Sequence, residues 1–151
     1  GKNGIDGAPG AQGPQGLPGV GALKLVDQND VAVGVFQYPG LAALQVGGDL
    51  VWVAVNWRSR NFETGVPAFY YASSDCSGQA MMYVDLLRFG TVQGTTLNFP
   101  QGNPTPMTYY SVKDENGCNQ YTNEGAPTPD TFAPAATASL ASFIGPFKIA
   151  R

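Results

Sequence analysis

The chain has no histidine. That absence removes the commonest general base, the imidazole-activated serine and cysteine nucleophiles, and most zinc sites. Charge is scarce too: Asp, Glu, Lys and Arg make up 13% of the residues, about half the usual share. Acidic residues outnumber basic ones by 11 to 8, so bulk electrostatic attraction to nucleic acid is excluded. No segment approaches the roughly 20 apolar residues of a membrane-crossing helix, and direct membrane insertion is not expected of this piece. No stretch carries an apolar stripe at the 3.6-residue period, so helices are not expected either. No motif calls for a cofactor, and nothing arranges an enzyme's acid, base or nucleophile.

What the chain does have is glycine in phase. Gly1, Gly4, Gly7, Gly10, Gly13, Gly16 and Gly19 occupy every third position, with Pro9 and Pro18 third in their triplets and Pro14 second. Only glycine fits the crowded axis where three polyproline-II-like chains wind together. A flexible Gly/Pro linker keeps no such period. The tract therefore reads as collagen-like and implies a homotrimer. The period breaks at Gly19-Val20-Gly21, which divides the chain into a collagen-like tract with its junction (1–21) and a C-terminal domain (22–151). Since Gly1 is already in phase, the chain reads as a piece of a longer exported protein, secreted or on a cell surface. Six triplets are a weak association element, so the domain is expected to supply most of the trimer's stability.

The domain reads as β-structure throughout. Apolar, β-branched runs at 23–26 and 31–38 flank Asp27-Gln28-Asn29-Asp30, and runs at 41–46 and 50–57 flank Gly47-Gly48-Asp49. Val51, Val53, Val55 and Trp57 share one face by the two-residue period, with Leu50, Trp52 and Ala54 on the other. Both faces therefore read as buried at the start of that strand. Further strands are expected at 68–72, 80–87, 91–99, 107–112 and 143–149, with 85–89 open to a helical turn. The 18 residues from Thr122 to Ser139, with Pro127, Pro129 and Pro134, read as a long irregular segment. It is either a surface loop or a strap across a neighbouring subunit. Many short strands at close spacing predict an all-β domain, a compact β-sandwich or barrel-like fold.

Export makes one intrachain disulfide between Cys76 and Cys118 the simplest reading of the two cysteines. Closing a loop of about 40 residues stabilises the fold by about 4 kcal/mol on the chain-entropy model. A catalytic thiol is the alternative, with no histidine to activate it. Two acidic clusters, Asp27/Asn29/Asp30 and Asp114/Glu115/Asn116, invite structural calcium, but neither has the ligand spacing of an EF-hand loop. Asx-rich hairpin turns account for both without a metal, and no metal site is expected.

Basic residues are few. Arg58 and Arg60 are the most suggestive, because residues two apart on a strand point the same way, and arginine's planar fork pairs with anionic oxygens. Arg88, Lys113, Lys148 and Arg151 are further candidates. The plain alternative is a solvated strand end with Glu63 as partner. In a trimer any basic patch occurs three times, so weak contacts to a long polyanion add by avidity.

The tract GAPGAQGPQGLPG, leading into LKLVDQNDVAVGVF, VGGDLVWVAV and FYYASSDCSG, resembles the collagen-like surface and secreted proteins of bacteria, most closely the C-terminal domains of the Legionella collagen-like adhesins. The resemblance implies a surface-exposed trimer binding sulfated glycosaminoglycans, such as heparin and chondroitin sulfate, in host attachment, aggregation, biofilm and virulence. Two other readings stand beside it. One is a purely structural trimerisation head of a collagen-like filament or phage tail fibre. The other is a C1q-like or lectin-like head recognising protein or neutral sugar through Tyr70, Tyr71, Tyr109 and Tyr110.

Overall fold

The computed structural model of the chain describes residues 4, 7–11, 22–37, 39–124 and 130–151. Gly4, Gly7 and Gly10 are exposed and lie in no strand; most of the tract 1–21, and Pro127 and Pro129, lie outside the described residues.

The first sheet grows from local hairpins. Strands β1 (Lys24–Val26), β2 (Ala32–Gln37), β3 (Leu41–Val46), β4 (Asp49–Asn56) and β5 (Asn61–Phe62) follow one another as an antiparallel meander, and β14 (Lys148–Ala150) adds itself to β1. Strand alternation in β4 sends Val51, Val53 and Val55 into the core. They meet Leu25, Phe36, Ala42 and Leu44 of the same sheet and Val92, Leu97 and Phe99 from the facing one. Each of the Val, Leu and Phe side chains contributes about 1.5–3 kcal/mol by leaving water. The sheet curls until its two edges approach: Phe147 N–H donates to the Arg60 carbonyl at 2.6 Å, and the Phe62 and Phe147 rings lie 4.7 Å apart.

The second sheet comprises β6 (Phe69–Tyr71), β7 (Met81–Tyr83), β8 (Thr91–Gln93), β9 (Thr96–Pro100), β11 (Ser111–Asp114), β12 (Gly117–Gln120) and β13 (Thr131–Ser139), in the order β12-β11-β6-β7-β13-β9-β8. A short β10 (Thr105–Pro106) also pairs with β13. One seam stitches the sheets together. Trp52 N–H donates to Arg88 O at 2.8 Å, Gly90 N–H to Trp52 O at 2.9 Å, and Gly65 N–H to Val92 O at 2.9 Å. The result is an all-β, sandwich-like domain of two curled sheets; no helix occurs among the described residues.

Several sequence expectations change; the strands expected at 80–87, 107–112 and 143–149 are shortened or shifted to β7, β11 and β14. The segment Thr122–Ser139 is not irregular throughout, because its second half is β13, the longest strand at 9 residues and a central one. Proline is normally excluded from such a place for want of an N–H. Pro134 is accommodated because its carbonyl accepts from Gln101 N–H, so its nitrogen, on the same side of the strand, faces the break between β9 and β10. The run 91–99 is two strands rather than one, folded back at Gly94, whose φ of 62° suits a tight turn. Lastly, Leu50 is not buried; it is 48% exposed, so β4 has one buried face and one open face. Residues 85–89 form neither strand nor helical turn but a crossing between the sheets, with Phe89 bridged to Trp52.

Candidate functional site

Arg58 and Arg60 do not share a strand face, as their spacing suggested. β4 ends at Asn56, and residues 57–60 form the hairpin turn into β5. Asn56 builds that turn: its Oδ1 accepts from Arg58 N–H at 3.0 Å and Ser59 N–H at 3.1 Å, and its carbonyl accepts from Arg60 N–H at 2.7 Å. Arg60 itself sits at φ 55°, in the left-handed region that aims it out of the ladder. Both arginines are exposed, and neither makes a salt bridge among the described residues. Because the Arg60 carbonyl is bonded to Phe147 N–H, the turn lies beside the start of β14, where Lys148 follows. The closure of the sheet thus sets the backbone of the arginine turn beside the residue preceding Lys148, bringing two distant stretches of chain together.

The other basic candidates scatter. Lys148 Nζ is 2.8 Å from Asp30 Oδ1, an exposed pair worth about 0–1 kcal/mol and easily exchanged. Arg88 is committed to the fold. Its guanidinium donates to the carbonyls of Pro100 and Gly102 and lies 3.6 Å from Asp49, with only 16% of its side chain exposed. Lys113 is exposed on β11 of the second sheet, and Arg151 is exposed after β14.

Both acidic clusters are hairpin turns. Asp27, 1% exposed, accepts from Asn29 N–H and Val31 N–H on Oδ1 (2.8 and 3.0 Å) and from Ile144 N–H on Oδ2 (3.2 Å). Burial by itself would raise its carboxyl. The N–H groups of Ile144, Val31 and Asn29, with Lys148 adding its charge, instead hold it below the ordinary value. Asp114 Oδ1 accepts from Asn116 N–H at 2.8 Å in the second turn.

Cys76 and Cys118 form the expected disulfide, with Cα atoms 6.0 Å apart. A buried hydroxyl that sequence reasoning missed supports it. Ser111 Oγ donates to Ser73 O at 2.6 Å and accepts from Cys76 N–H at 2.9 Å, holding the 73–77 loop on β11.

Two apolar features complete the surface. Cross-strand register sets Lys24, Val35, Ala43, Trp52 and Phe89 in one lateral row over the outer face of the first sheet. Val35 and Phe89 in that row are each 44% exposed, and Leu50 flanks Trp52 two residues along β4. On the second sheet, of the four tyrosines picked out from sequence, Tyr70 and Tyr109 converge, with rings 4.8 Å apart. Tyr71 is buried, and Tyr110 turns its hydroxyl towards Glu124 at 3.3 Å. Tyr121, which carries no sequence signal of its own, joins the pair instead.

No helix among the described residues is long and apolar enough to cross a membrane. No family model, curated protein or solved structure matches the chain.

Proposed function

We propose that the chain is the trimeric head of a collagen-like surface protein that binds sulfated glycosaminoglycans as an adhesin. The observation that carries this reading is the exposed hairpin turn bearing Arg58 and Arg60 beside the start of β14 with Lys148. Two guanidinium groups that make no salt bridge among the described residues, on a turn hydrogen-bonded by Asn56, suit sulfate oxygens, which accept two-pronged hydrogen bonds from a planar fork. Arg88 drops out of the site because its donors are occupied by backbone carbonyls. Lys113 and Arg151 are peripheral to it.

The trimer is supported by the Gly-X-Y period and by the apolar row that begins at Lys24. The tract ends a few residues before β1, so three chains leaving a triple helix would place that strand and its outer face near the common axis. Partial exposure of Val35, Leu50 and Phe89 in a single chain is what a face awaiting other copies would show. Each exposed ion pair is weak, so affinity rests on repetition over three subunits and falls steeply with salt. The absence of histidine supports a binding role over a catalytic one.

Chromatography on immobilised heparin and chondroitin sulfate across a salt gradient, with mass measured by sedimentation, tests the reading. The native protein is expected to sediment as three chains and to be retained at low salt. The double substitution Arg58→Glu and Arg60→Glu should lower the eluting salt concentration and leave the mass unchanged. Elution of the variant with the native protein would remove the site, and no retention of the native trimer would remove the adhesin.

A further inference from the structure

A second feature, chemically opposite to the basic turn, lies at the far end of the second sheet. Tyr70, Tyr109 and Tyr121, with Val112, Asp114 and Asn119, line an open cleft of about 390 Å³. Register places Tyr70, Val112 and Asn119 side by side on β6, β11 and β12. Alternation adds Asp114 and Tyr121 to the same face. We infer that this cleft binds a neutral sugar, with a pyranose ring laid on Tyr121 and its hydroxyls hydrogen-bonded by Asp114 and Asn119.

A pyranose offers an apolar face of C–H groups and an equatorial rim of hydroxyls that both donate and accept. Its receptor therefore needs an accessible aromatic plane beside groups of both hydrogen-bonding kinds. Tyr121 provides the plane: it is 63% exposed and backed by the near-parallel ring of Tyr109, 6.2 Å away at 19°. Asp114 Oδ1 is taken by Asn116 N–H, which leaves Oδ2 to accept; Asn119 Nδ2 lies 3.4 Å from Gly117 O, which leaves its second N–H to donate and its Oδ1 to accept. The volume lies at the lower end of the range for small-ligand sites, suited to one or two sugar rings.

The site is also held ready. Tyr109 N–H donates to Asn123 Oδ1 at 3.0 Å, while Asn123 Nδ2 donates to Met107 O at 3.0 Å. The Tyr109 ring packs edge-on against Tyr70 and Phe132. Cys118, adjoining Asn119, is tied through the disulfide to Cys76. A ligand therefore orders little on arrival, which conserves affinity.

Charge separates this cleft from the basic turn. Among the described residues, its lining holds a carboxylate and no lysine or arginine. Burial first, then Asp130 and, more weakly, Asp114, raise the Tyr70 hydroxyl above its ordinary pKa, so it faces the cleft as a neutral phenol. With a carboxylate and no cation in its lining, the cleft disfavours a sulfated or uronic-acid chain. A quaternary ammonium is a poorer fit, because Tyr109 is buried behind Tyr121 and one broadly exposed ring does not make a cage.

The test is saturation-transfer NMR on the intact chain with lactose, maltose and cellobiose as probes, run beside tetramethylammonium and a heparin disaccharide. At least one neutral disaccharide should receive saturation, equally at low and high salt. Its dissociation constant should rise about tenfold in Tyr121→Ala, an exposed position whose loss leaves the fold intact. Asn119→Ala should weaken it independently. Transfer to none of the three sugars, transfer unchanged in both variants, or transfer only to tetramethylammonium or to the heparin disaccharide would each overturn the proposal.

Discussion

The two parts of the domain are stabilised by different means. The first sheet, with β8, β9 and the end of β13, encloses a mainly aliphatic core in which Leu25, Val51, Val53 and Leu97 are fully buried. The far part of the second sheet, built from β6, β7, β11, β12 and the start of β13, is organised around Phe132. That ring is contacted by Tyr70, Tyr83 and Tyr109 at 4.9, 5.7 and 5.6 Å. It is also stapled by Cys76–Cys118 and by the Ser111 hydroxyl. Strands of three or four residues cannot cover a core by alternation alone. Large rings and a covalent link replace the missing aliphatic area. The same choice leaves phenol groups near the surface, and that is where the proposed sugar cleft lies.

Removing the disulfide should separate the two parts most sharply. Cys76→Ala with Cys118→Ala should cost about 4 kcal/mol on the chain-entropy model. The loss of amide-exchange protection should be concentrated in β6, β11 and β12. Equal loss in β3 and β4 would show that the parts unfold as one unit.

A pair of core truncations comes next. Leu97→Ala should cost about 3 kcal/mol, since the side chain is wholly buried in the aliphatic core and packs where the backbone of Gly90 approaches it closely. It should leave saturation transfer to the sugar probes unchanged. Phe132→Ala should cost a similar amount and abolish that transfer, because the Tyr70 and Tyr109 rings lose their support. Thermal unfolding and NMR titration of the two variants check both halves of this expectation.

Asp27 gives the smallest effect and a pH signature confined to the first part. Its carboxyl is held below the ordinary 3.8, so its contribution is complete above that value. It fades as pH falls through 3.8 and is gone below the folded-state pKa. Asp27→Asn, which loses one acceptor facing Ile144 N–H, should be less stable than the native protein at neutral pH. Its stability should also depend less on pH across that acid range. Parallel profiles in thermal melts from pH 6 to pH 2 would contradict this.

Much of the first sheet was legible before any coordinates. β3 runs from Leu41 to Val46 as its apolar stretch indicates, and β1, β2 and β4 shift by only a residue or so at their ends. The reason is that hydrophobic alternation and Gly-Gly or Asx turns are properties of neighbouring residues. The disulfide followed from having only two cysteines in a chain expected to be exported. β13 was hidden because Ala133, Ala135, Ala136 and Ala138 lack the β-branched signature, and Pro134 argues locally against a central strand.

The sequence by itself determined the Gly-X-Y period, the β class, the hairpins of the first sheet and the identity of the bridging cysteines, all of which rest on local spacing or on elimination. Tertiary structure alone decided that Arg88 would be consumed by the carbonyls of Pro100 and Gly102. It alone brought Arg60 beside the residue preceding Lys148, and chose Tyr121 rather than Tyr71 to join Tyr70 and Tyr109. Each of those outcomes depends on how far a curled sheet closes and which strand docks on which edge. Such quantities are set by packing between residues remote in the chain, and no window of neighbouring residues contains them.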